Sequence, residues 1–137
     1  MVTITGGYSG ELRCISTHGP SGATLITDAP VDNHGKGSSY SPTDLVATAL
    51  ATCIVTTMAI WAKRHDRELG GITYTVTKEM AATSPRRIAR LAVHIVVPGD
   101  FDADARERLE HVAHACPVHQ SLHPSTAMDI TFEWKGA

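Results

Sequence analysis

Alternation of apolar and polar positions is clearest at the end of the chain. In MDITFEW, Met128, Ile130, Phe132 and Trp134 alternate with Asp129, Thr131 and Glu133, the period of a half-buried strand. ITYTVTKEM puts Ile72, Tyr74 and Val76 on one face and threonines on the other. RIARLAVHIVV sets Leu91, Val93, Ile95 and Val97 on one side, and the loop TSPRR joins these two strands. The first third is choppier. VTIT and ELRCIST flank YSG and predict a hairpin, ATLIT predicts a third strand after GPSG, and DAPVDNHGKGSS reads as a glycine-rich polar loop.

Two segments carry helical signals. In SPTD, Ser41 caps, Pro42 suits the first helical position and Asp44 completes a capping box. That helix is expected to run to about Asp66, with Lys63, Arg64 and His65 against the negative end of its dipole and Gly70 and Gly71 in the stop region. PGDFDADARERLEHVAHA predicts a second helix, begun by an aspartate cap and burying Leu109, Val112 and Ala113. Pro117 interrupts it, which makes Cys116 the N-cap of a short helix PVHQSL. The order is βββ–α–ββ–α–β. Strands grouped in this way, without βαβ alternation, argue for an α+β fold with mostly antiparallel sheet.

Leu45 to Ala62 carries no charge, which just reaches membrane-spanning length. Its threonines at 48, 52, 56 and 57 and its many alanines favour a buried central helix instead. A chain of 137 residues is expected to form one domain, residues 1–137. A net charge of −2 gives no basic surplus for nucleic acid. The segment MVTITGGYSG lacks a basic start followed by an apolar run, so no signal peptide is expected there. Three scattered cysteines, at 14, 53 and 116, suit a reducing cytoplasm better than a disulfide scaffold.

The candidate chemistry is thiol chemistry. Cys53 lies about 17 Å from the start of its helix, too far for the dipole to ionise it, so a cation from another element would be needed. Cys116, at a helix N-terminus beside imidazoles, is the better nucleophile on local grounds. Cys116, His119 and His123 have spacings a zinc ion would accept, but no second cluster completes a site, so no metal is expected and the histidines read as solvated surface. Cys14 reads as strand packing, and Arg13 as a surface charge or as the cation that Cys53 lacks. Thr48, Thr52 and Thr56 form one stripe, a helix–helix seam or a polar pocket wall. On the second reading Thr43, Thr56 and Thr57 are substrate contacts.

SPTDLVATALATC in a central apolar helix, followed by a distant ACPV, resembles the OsmC-like family, which includes the organic hydroperoxide resistance proteins. The resemblance covers nearly the whole chain. It implies an OsmC-like fold in an intertwined homodimer whose central helices pack together. It also implies a peroxidase, with no cofactor, that reduces organic hydroperoxides at Cys53. Cys116 then resolves the sulfenic acid as a disulfide, and a dithiol, often lipoyl-linked, re-reduces it. In the family an arginine and a glutamate hold thiolate and substrate. The peroxidase branches carry that glutamate ten residues before the reactive cysteine, where this chain has Thr43. Asp44 is next, but on an ideal helix it points about 180° away from Cys53 and lies about 13 Å along the axis. Asp44 could serve catalysis only at a partner's Cys53; capping is its simpler role. Arg13 is the first choice for the arginine, with Arg86 and Arg87 as alternatives.

Overall fold

The computed structural model describes residues 1–136, which divide into two compact units at Val46 and Ala47. In the first, β1 (Ile4–Gly10), β2 (Arg13–His18) and β3 (Thr24–Asp28) form an antiparallel sheet in that order. The β1–β2 turn is not at YSG. Those residues stay in β1, with Tyr8 opposite Cys14, and the chain reverses at Glu11 and Leu12, both left-handed at φ 54° and 63°. Two consecutive positive φ values define the hairpin turn that normally selects Asn or Gly. Glu–Leu carries no such signal, so the sequence pattern placed the turn too early. The Tyr8 hydroxyl accepts the Leu12 N–H at 3.2 Å and steadies the turn.

This unit has no apolar core of its own. Ile4, Tyr8 and Leu25 on one face of the sheet and Ile15 and Ile26 on the other are all exposed. Among the described residues its only fully buried side chains are polar, Asp28 and Ser41. Asp28 organises the loop that follows it. Its Oδ2 accepts the Ser38 N–H at 3.0 Å and the Ser38 hydroxyl at 2.5 Å, and its own N–H donates to the Tyr40 carbonyl at 3.0 Å. Gly35 lets the loop fold back on Ala29, since a Cβ there would stand 1.8 Å from the Ala29 carbonyl oxygen.

The second unit holds most of α1 (Pro42–Arg64), then β4 (Thr73–Met80), β5 (Ile88–Pro98), α2 (Ala103–His114), α3 (Pro117–Ser121) and β6 (Ala127–Gly136). The sheet order is β4–β5–β6. β4 pairs antiparallel with β5, but β6 runs parallel to it. A parallel neighbour requires a crossover, and α2 with α3 supplies it. One βαβ unit was therefore hidden in a strand order that read as grouped. Leu91, Val93, Ile95 and Val97 of β5 are buried, as their alternation predicts. They share the core with Leu50, Ile54 and Met58 of α1 and with Leu109 and Ala113 of α2. Each large aliphatic side chain buried there stabilises the fold by about 1.5–3 kcal/mol.

Helix α1 meets the length and composition of a membrane span. It nevertheless buries Ala47, Leu50, Ala51, Ile54, Met58 and Ala62 within the chain's own core. Its start is the predicted capping box: Ser41 Oγ accepts the Asp44 N–H at 3.1 Å, and Asp44 Oδ2 accepts the Ser41 N–H at 2.9 Å. Its end comes before the glycines. Asp66 turns left-handed at φ 55°, and the Arg67 N–H closes on the Ala62 carbonyl at 2.8 Å. Replacing Ser41 by Ala removes the cap and is expected to lower unfolding free energy by about 1 kcal/mol in a urea titration.

Candidate functional site

Burying one face of α1 leaves the opposite face open, and Cys53 stands on that open face, half-buried. Ala49, Thr52, Cys53, Thr56, Thr57 and Ile60 of α1, with Pro117 and Val118 of α3, line an open recess of about 430 Å³. Thr56 and Thr57, candidate contacts from the sequence, both face it. Thr52 turns its hydroxyl back to the Thr48 carbonyl at 2.8 Å and so spends its polarity on the helix itself.

Cys116 is wholly buried and caps α3, its Sγ accepting the His119 N–H at 3.3 Å. The Cys53 thiol stands beside it, close enough to act on its proton, and both cysteines are free thiols. The surroundings of Cys116 work against a thiolate there. Burial pushes this thiol up, and neighbouring Cys53 adds to the rise; the N–H groups of His119 and Val118 pull the other way without reversing it. A helix of five residues offers little dipole, and its capping thiol has no water around it. The nearby imidazoles are occupied elsewhere. His114 donates from Nδ1 to the Glu110 carbonyl, His123 bonds Ser125, and the His119 ring meets the His114 ring edge-on at 6.0 Å. Among the described residues no three His, Cys, Asp or Glu side chains converge as metal ligands.

The remaining candidates lie in the first unit or in loops. Arg13 stands opposite Asp28 across the β2–β3 pair. Its Nη1 reaches Glu11 at 3.4 Å and its Nε lies 3.5 Å from Asp28 Oδ2. Asp28 escaped the sequence reading, which took it as the start of a loop; an aspartate closing a strand before a polar loop was the available signal. Ser38 holds its carboxyl below the usual range through hydroxyl and amide bonds, and Arg13 reinforces this against the effect of burial. Asp44 and Thr43 sit in the first turn of α1, Asp44 in the capping box and Thr43 with its hydroxyl 3.2 Å from that of Ser41. Arg87 is tied to its own loop through the carbonyls of Thr83 and Pro85. Cys14 is exposed in β2.

The description "OsmC-like protein" matches residues 35–131. The chain belongs to the OsmC-like family. The crystal structure of a Psychrobacter arcticus 273-4 protein, described as an osmotic stress induced and detoxification response protein, is 39% identical and superposes with a TM-score of 0.91, over 97% of this chain and 96% of that one. An organic hydroperoxide resistance protein OsmC from Legionella pneumophila is 18% identical with a TM-score of 0.77, over 97% and 96%. The organic hydroperoxide resistance protein OhrB of Bacillus subtilis is 14% identical with a TM-score of 0.70, over 97% and 98%. At these last identities the likeness is one of fold. No curated protein sequence matches the chain.

The raised Cys116 thiol has a pH consequence. The folded chain holds this proton more tightly than the unfolded chain does. The associated stability is complete below the ordinary thiol value of 9.0 and is lost as pH rises through the folded value. Urea unfolding is expected to show stability falling above that pH, with a flatter alkaline limb in Cys116→Ser.

Proposed function

We propose that this chain is a thiol-dependent peroxidase that reduces organic hydroperoxides. The observation that carries the reading is the adjacency of two reduced thiols, one half-open on a largely apolar recess and one buried behind it. Cys53 attacks as the thiolate. Its sulfur bonds the terminal peroxide oxygen, the O–O bond breaks, and the alkoxide leaves as an alcohol after taking a proton. Cys53 is then a sulfenic acid. Cys116 attacks that sulfur, an S–S bond forms and water departs. An external dithiol, lipoyl-linked in better-studied relatives, returns both sulfurs to thiols by two exchanges. A Cys116 that holds its proton suits a resolving thiol, since it stays unreactive toward peroxide until a sulfenate forms beside it.

Arg13 is the cation assigned to the Cys53 thiolate and the substrate. Thr56 and Thr57 contact the substrate in the recess, and Thr43 takes the place of the family glutamate. The chain works as a homodimer in the cytoplasm. A partner copy supplies what the open face of α1 and the exposed sheet of Ile4, Tyr8, Ile15, Leu25 and Ile26 lack. A second reading rests on Thr43: without the glutamate, the recess serves only to hold a small hydrophobic ligand.

Single substitutions separate the two readings. Cys53→Ser is expected to abolish cumene hydroperoxide turnover with a dithiol donor. Cys116→Ser is expected to permit one reduction and then leave Cys53 overoxidised by mass spectrometry. Absence of turnover by the unaltered protein, with binding of a small hydrophobic ligand unchanged in Cys53→Ser, would remove the peroxidase reading in favour of ligand binding.

A further inference from the structure

We propose that Asp28 is the positioning residue for Arg13: from the end of β3 its buried carboxylate fixes the guanidinium and leaves one edge of it to receive an anion. The inference rests on the peroxidase reading, in which Arg13 serves the Cys53 thiolate. It supplies a carboxylate where Thr43 has no charge to offer.

The burial of Asp28 is the first ground. Its side chain is 0% exposed, in a unit that buries no aliphatic side chain among its described residues. A carboxylate removed from water is costly unless it is paired and hydrogen-bonded. Ser38 satisfies Oδ2 twice, and the charge is met by Arg13, whose Nε stands at ion-pair distance from the same oxygen. The pair is held by the sheet. Arg13 and Asp28 are cross-strand partners, and the Asp28 N–H is locked to the Tyr40 carbonyl. Side chains mounted in this way keep their geometry better than side chains on a free loop.

The second ground is what remains unmade. Asp28 Oδ1 and Arg13 Nε are both buried without a hydrogen-bond partner. Nε lies 3.5 Å from the other carboxylate oxygen, Oδ2, which Ser38 already occupies, so guanidinium and carboxylate attract without a closed hydrogen bond. Contacts of this length are ones that tighten when a ligand binds beside them. The rest of the guanidinium points to the same use. Nη1 meets Glu11, which is 67% exposed and screened by water. A guanidinium held beside a buried carboxylate at ion-pair distance, with its outer edge paired, among the described residues, only to an exposed carboxylate, is arranged for an anionic oxygen or sulfur. Ionisation of the anchor is secure, because the Ser38 bonds keep the Asp28 carboxyl below its usual range.

The test pairs Asp28→Asn with Arg13→Ala and their double variant in the full chain, with two readouts. One is the Arg13 Nε–H signal in 15N NMR, which reports orientation independently of activity. The other is kcat/KM for cumene hydroperoxide. The expected result is a dispersed Nε–H signal that collapses into the exposed arginine envelope in Asp28→Asn. A fall of about tenfold in kcat/KM should accompany it, as for coupled pairs, with the double variant no worse than Arg13→Ala alone. An unmoved Nε–H signal, or losses that add in full, would overturn the proposal. If Asp28→Asn does not fold, Ser38→Ala keeps the charge, frees one side of Oδ2 and should shift both readouts less in the same direction. If the unaltered protein shows no turnover, the peroxidase reading fails, and the Nε–H signal alone decides whether Asp28 positions Arg13.

Discussion

One-sided burial of α1 is the constraint on which the second unit depends. Ala47, Leu50, Ala51, Ile54, Met58 and Ala62 are buried with the inner face of β5. With the buried face fixed, the helical period decides what the other face shows. It shows Ala49, Thr52, Cys53, Thr56 and Ile60, a row of small and medium side chains around one thiol. Cys53 gains no help from the distant dipole there, but it gains access. Cys116 has the opposite situation, at a helix start but sealed from water. That burial raises its thiol, and neighbouring Cys53 adds to the rise.

The first unit is organised by polarity. Its sheet exposes large apolar side chains on both faces, and its sole fully buried groups among the described residues are Asp28 and Ser41. One caps α1 and the other gathers β3, the Ser38 loop and Arg13. Polar anchors of this kind fix geometry more than they add net stability. Asp28 closes β3 opposite Arg13 and beside the hairpin turn, where the next residue's N–H, that of Ala29, donates to the Leu12 carbonyl.

Where the sequence spoke through periodicity, it was legible. The β5 alternation identified its buried face, the capping box located the start of α1, and Pro117 located α3 with Cys116 at its cap. Three features were hidden for physical reasons. The Glu11–Leu12 turn uses left-handed backbone at residues that rarely adopt it. The parallel β5–β6 pair depends on a long-range partner that local alternation cannot reveal. The Cys116 proton is governed by desolvation, while the sequence shows only the cap and the histidines. Within the candidate site, the adjacency of Cys53 and Cys116 came from family resemblance and not from spacing, since 62 intervening positions say nothing about distance. Asp28 was invisible because a strand-ending aspartate looks like any loop residue until its burial is known.

The central claim is that the two thiols form one redox pair. It is tested most directly by mixing the reduced protein with one equivalent of cumene hydroperoxide and measuring intact mass and peptide linkage. The predicted product is a monomer chain lighter by two hydrogens, with Cys53 joined to Cys116 and Cys14 still free. A chain that gains oxygen at Cys53 without forming that bond, or that stays reduced, would contradict the claim.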